Sequence, residues 1–139
     1  MAEYNFDNDI KVFGINVTTF PSGISEAFGE LIKKTGDPAG NRDYYGISFF
    51  KDGKMIYYAT AAEKLSGESK KYNYEELEIE KGNYSVTEVF NWPKKTHCIK
   101  DVFNEIMLDP RVDKTKPAIE WYRNDNEMMC LVKMKELQQ

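Results

Sequence analysis

The sequence predicts an α+β protein, an antiparallel-rich curved sheet with two helices on one face and a ligand cleft on the other. Three observations point there. Apolar residues recur at helical spacing in two places only. Strand-like runs flank each of them, joined by tight turns. The whole pattern occurs twice, so both halves read strand, proline, helix, strand, turn, strand, a tandem β-α-β-β unit. Phe20-Pro21 answers Trp92-Pro93, and Ile47-Ser48-Phe49-Phe50 answers Ile119-Glu120-Trp121-Tyr122. The 139 residues read as a single domain, 1–139, with repeat one at about 10–64 and repeat two at about 74–137.

The elements follow in order. Lys11 to Phe20 is rich in β-formers and is broken by Pro21 and Gly23. Ile24, Phe28, Leu31 and Ile32 form one helical stripe, which Ser22 or Ser25 can cap and Gly36-Asp37-Pro38 stops. Tyr44 to Phe50 and Met55 to Ala62 are strands joined through Asp52-Gly53, a hairpin signal. Leu65 to Lys71 reads as a polar loop. Tyr74 to Trp92 is β-rich and broken at Lys81-Gly82. Ile99, Val102, Phe103, Ile106 and Met107 form the second stripe, ended by Asp109-Pro110. Pro117 to Tyr122 and Met128 to Met134 are the last strands, either side of a polar turn.

Composition excludes several functions. Two cysteines make no disulfide framework, and one histidine makes no histidine-rich metal site, so neither a metal nor a cofactor is expected. Net charge is −4, which argues against direct nucleic-acid binding. Apolar runs are too short for a transmembrane helix, and Met1 to Asp9 is no signal peptide, so no membrane partner and a cytoplasmic location are expected. Aromatic content, by contrast, is high at 14%, with nine tyrosines. Those rings exceed what a core of this size needs, and a buried tyrosine hydroxyl wants a partner.

Strand alternation sorts these rings onto two faces. Ile47, Phe49, Ile119 and Trp121 suit the helix-packed side. Tyr44, Ser48 and Phe50, with Ala118, Glu120 and Tyr122, then face the cleft, and Tyr57, Tyr58 and Tyr84 are further cleft candidates. Glu120 stands out, since a carboxylate on a central strand is costly unless something pairs with it. A salt bridge to Arg123 or a lysine is the plainer role for it. Trp92 reads either as a stacking wall of the cleft or as a staple packing the helix start. His97 and Cys98 are neighbours that point apart, so they form no nucleophilic pair. Cys130, Met128, Met129 and Met134 read as core, and Lys94-Lys95 as a solvated helix end.

Pro117-Ala118-Ile119-Glu120-Trp121-Tyr122 resembles the Pro-x-x-Glu-x-Tyr segment of the GyrI-like small-molecule-binding domains, the fold of effector-binding domains in Rob-type and multidrug-responsive transcription regulators. Lys81 to Val86 and Tyr45-Gly46-Ile47 resemble further family segments, and the likeness covers about residues 10–137. It implies a cleft for planar, hydrophobic, often cationic molecules, with the family's strand glutamate mapping onto Glu120. Ligand-binding residues are then Glu120, Trp92, Tyr122, Tyr44, Ser48, Phe50, Tyr57 and Tyr84. A carboxylate attracts a cation, and each aromatic face adds about 0.5–2 kcal/mol. The expected role is sequestration or protection. The resemblance also implies two alternatives. One is hydrolysis of reactive cyclopropane-bearing genotoxic compounds, with Glu120 as the catalytic residue. The other is a partner protein, DNA gyrase or a regulator. The chain departs from the regulators in having no helix-turn-helix module, so it is expected to be a stand-alone domain.

Overall fold

The computed structural model describes residues 2–36 and 42–136. Among them, eight strands form one antiparallel sheet: β1 (Ala2–Phe6), β2 (Ile10–Asn16), β3 (Tyr44–Lys51), β4 (Lys54–Ala62), β5 (Glu75–Ile79), β6 (Gly82–Phe90), β7 (Ala118–Tyr122) and β8 (Glu127–Lys133). The helices are α1 (Ile24–Thr35), α2 (Glu68–Lys71) and α3 (Ile99–Ile106), with two 3-10 turns, Trp92–Lys94 and Thr96–Cys98, leading into α3. The α+β class and the duplicated β-α-β-β pattern are as expected from the sequence.

Strand order is β1-β6-β8-β7-β3-β4-β2-β5, which reads the same from either edge once the halves are matched. β1 and β5 have the same length and the same order of exposed and buried residues, as do β2 and the first seven residues of β6. Each half therefore begins with one more strand than the β-α-β-β unit. That strand completes the edge of the other half, β1 on β6 and β5 on β2. β1 lies before residue 10 and was invisible as a strand because its polar residues alternate with only Tyr4 and Phe6. With the strands matched this way, Gly46 is the counterpart of Glu120, two residues from the Ser48 that the sequence motif suggested. The two face each other directly across the β3–β7 pairing.

Local chemistry explains the turns. Asp52 and Gly53 both have positive φ, 53° and 77°, the conformation of a type I′ hairpin. α1 begins at Gly23 rather than at a serine cap, and no side chain caps it; Thr19 Oγ1 donates to the Ser22 carbonyl instead. Gly36 closes α1 by donating its N–H to the Ile32 carbonyl, while Asp37 and Pro38 lie outside the described residues, as does Leu137. On α1, Ala27 and Leu31 are buried, whereas Ile32 is largely exposed. The segment read as a loop holds α2, because Glu68 is buried against Arg42. Arg42 Nη1 and Nη2 donate to the two carboxylate oxygens at 2.9 Å each. That pairing holds the Glu68 carboxyl at about 2, well below its ordinary value.

The core has three parts. α1 covers one half of one sheet face, packing Phe13, Leu31, Tyr57, Ala59 and Ala61. α3 covers the other half of that face, with Ile106, Met128, Cys130 and Val132. The face without helices is closed by the sheet itself. Phe6 on the edge strand β1 comes within 5.7 Å of Trp121 on β7, three strands away. In a flat sheet those backbones would stand about 14 Å apart, so the sheet curls into a half-barrel.

Candidate functional site

That curl exchanges the two faces assigned from alternation. Ile47, Ile119 and Trp121 do not lie under the helices; with Phe6, Tyr45, Ile79 and Tyr84 they fill the concave face. Phe49 packs at its border. Tyr44, Glu120 and Tyr122 lie on the helix-bearing face, where Phe28 of α1 stands edge-on to both tyrosines at 6.4 and 5.3 Å. The physical reason is the edge strands. They fold rings over the concave side and make it the dry one, which takes the most apolar set. The helix-bearing side is shared by two separate helices and keeps a seam between them.

Glu120 sits in that seam. Tyr57 Oη and Tyr122 Oη both donate to its Oε1, at 2.6 and 2.7 Å. These are the lengths of hydrogen bonds to an ionised carboxylate. No described side chain donates to Oε2. Glu120 keeps partial contact with solvent, yet its surroundings are apolar enough that desolvation raises its pKa, opposed by the two tyrosine bonds. Both tyrosines are pushed well above their ordinary value, first by burial and then by the Glu120 charge. Cys130, directly opposite Glu120 on β8, is pushed up to about 12 by the same two causes.

Room for the carboxylate comes from Gly46. A Cβ there would lie 2.0 Å from Tyr57 Oη and 2.5 Å from Glu120 Oε1. The two ring-proline steps brace the tyrosines from outside. Phe20 stacks on Tyr57 at 5.0 Å, and Trp92 stands edge-on to Tyr122 at 4.9 Å. Trp92 Nε1 donates to the Asn124 carbonyl at 2.9 Å, which fixes the indole at the half-buried margin.

The sequence candidates thus divide. Glu120, Tyr57, Tyr122 and Trp92 are brought together, with Tyr44 adjoining through Phe28. Ser48 is paired with Tyr57 and with Ala118 on the same face. Phe50 lies at the hairpin end and is 73% exposed, so it forms no wall beside Glu120. Tyr84 belongs to the concave core and donates to the Glu80 carbonyl at 2.7 Å. Tyr58 also points away from the seam and donates to Glu75. Sequence reading missed Phe20, Phe28 and Gly46 as site residues. The Phe20-Pro21 match to Trp92-Pro93 was a usable signal for the first. His97 and Cys98 lie at the start of α3, and Cys130 and Met128 are buried.

Among the described residues, no group of three or more His, Cys, Asp or Glu side chains could hold a metal ion. None of the described helices is long and apolar enough to cross a membrane.

No known protein family profile matches the chain, and no curated protein does. Solved structures do. An integron cassette protein from the mobile metagenome of Vibrio cholerae superposes with a TM-score of 0.69 at 13% identity, covering 96% of this chain and 95% of its own. SAV2435, solved bound to tetraphenylphosphonium, gives a TM-score of 0.69 at 17% identity, with 96% and 93% covered. A candidate bacterial transcription regulation protein from Staphylococcus aureus MU50 gives 0.58 at 14% identity, with 95% and 97% covered. At such identities the likeness shows the fold alone, one that this chain shares over nearly its whole described length.

Proposed function

We propose that the chain binds a hydrophobic organic cation in the seam between α1 and α3, with Glu120 as its charge partner. One observation carries this reading: a carboxylate enclosed by aromatic rings has both tyrosine donors on Oε1, and no side chain among the described residues donates to Oε2. A desolvated anion with a spare oxygen gains most from a cation that brings its own apolar surface. That a protein of the same fold, SAV2435, was solved with tetraphenylphosphonium supports the ligand class. The rings around Glu120 pack on one another, so a ligand with several rings enters by parting Phe28, Trp92 and Tyr122. Sequestration or protection is the role such a site would serve.

The test is calorimetric titration with tetraphenylphosphonium. Saturable binding is expected, weakened about 10- to 100-fold in Glu120→Gln, the worth of one hydrogen-bonded or paired charge. No saturable heat, or equal affinity in the variant, would overturn the reading.

One observation favours a second reading, hydrolysis. A carboxyl whose pKa is raised by burial holds its proton to higher pH than an exposed one, as a general acid or base requires. Glu120 would then activate water against an electrophilic cyclopropane-bearing compound. Multiple turnovers that vanish in Glu120→Gln while binding persists are its signature, and a stoichiometric, single-event reaction would remove it.

A further inference from the structure

The concave face has two mouths, related by the matching of the halves, and they are filled differently. At one, Trp121 and Tyr45 pack together, with Tyr4 and Phe6 over the indole and Arg123 stacked on it at 4.6 Å. At the other, the matching pair is Ile47 and Ile119, and a hollow of about 40 Å³ remains. Its floor is Ile47, Ile79, Ile119 and Tyr84, and its rim carries Lys116, Lys133, Glu78 and Glu80.

Lys133 is the unusual member. Its side chain is 7% exposed, yet among the described residues its ammonium has two distant partners, Glu80 Oε2 at 3.6 Å and Glu136 Oε1 at 3.5 Å. Both exceed the usual hydrogen-bond range. Lys116 already takes Glu80 Oε1 at 2.9 Å. Two lysines thus lean on one nearby carboxylate. Glu136 is 86% exposed, which screens its charge, and Glu78 stands cross-strand from Lys11. The backbone makes room for Lys133 as well. Gly82 has a φ of +131°, and a Cβ there would come within 3.0 Å of Lys133 Cε.

We propose that this hollow is a second binding site, distinct from Glu120, for a free short-chain monocarboxylate of acetate-to-propionate size. Its carboxylate completes the shell of Lys133 and reaches Lys116, and its alkyl end rests on Ile47, Ile79 and Ile119. Size excludes larger acids, and the dry floor disfavours fully hydrated inorganic anions.

The experiment is a methyl-NMR titration of the full chain with sodium acetate and sodium propionate, against sodium chloride at matched ionic strength. Saturable shifts are expected at the Ile47, Ile79 and Ile119 methyls, with a dissociation constant on the order of 1 mM, what so few atoms can supply. Lys133→Met should abolish saturation. Lys116→Gln, at a one-third exposed position where folding is safe, should weaken binding several-fold, and Glu136→Gln should tighten it. Shifts that match those of chloride, or unchanged affinity in Lys116→Gln, would overturn the proposal.

Discussion

At the seam of the sheet Gly46 of the first half faces Glu120 of the second, and these two positions are counterparts. The same contrast runs outward. Tyr57 is matched by Met128, Tyr122 by Ser48, and Phe20 by Trp92. A duplicated frame offers every position twice, and here one copy carries the charge while the other provides the space. Two carboxylates in the seam would repel, and two glycines would leave no charge there, so the proposed site depends on the halves being different. The comparison extends below the site. Arg42 in the first half and Lys116 in the second are counterparts, but Arg42 makes a buried, two-pronged pair with Glu68 while Lys116 reaches a half-exposed Glu80.

That last contrast predicts the largest effect. Arg42→Met leaves Glu68 buried without its main partner and should cost about 3–5 kcal/mol in urea denaturation. Lys116→Met should cost less than about 1 kcal/mol. Equal costs would mean that the two halves are braced alike. The Glu68 carboxyl also sets an acid limit. Its folded value lies below its unfolded one, so its contribution is complete above about pH 4.5 and is lost as pH falls toward 2. An acid titration of stability in which Glu68→Gln matches the unmodified chain would contradict this.

Next comes Gly46→Ala, which makes the two halves alike at the seam. Its methyl would meet Tyr57 Oη and Glu120 Oε1, so a loss of about 1–3 kcal/mol and loss of tetraphenylphosphonium binding are expected. Undiminished binding would show that the seam has slack that the geometry denies. Tyr57→Phe and Tyr122→Phe each remove one donor from Glu120. Each should cost about 1–3 kcal/mol and raise the pKa of Glu120 further, read by carboxyl NMR.

The smallest effect has the opposite sign. Glu120 has a raised folded pKa, so its contribution to stability is full below its unfolded value and declines as pH rises through the folded one. Glu120→Gln should therefore stabilise the chain near neutral pH, by a few degrees in Tm, while weakening the cation. A variant less stable than the original at pH 8 would contradict a desolvated, ionisable Glu120.

Much of this was legible in the sequence because it is local. The stripes Ile24–Ile32 and Ile99–Met107 report helices through spacing alone, and Asp52-Gly53 reports a turn through backbone sterics. Alternation also sorted the central strands into the right two sets. What alternation cannot tell is which set is inside, because period two is symmetric between faces. That was decided by β1 and β5, which bring Phe6 and Ile79 from distant edges over Ile119 and Trp121. Tyr84 consequently went to the concave core, and Glu120 to the side of the helices. The sequence by itself determined the α+β repeat, the rings and Glu120 as a carboxylate on a central strand among them. Only the tertiary structure decided that Tyr57 and Tyr122, 65 residues apart in sequence, meet on one oxygen of Glu120. It also decided that Gly46 leaves them room, since contacts between strands depend on register and curl, which no local pattern encodes.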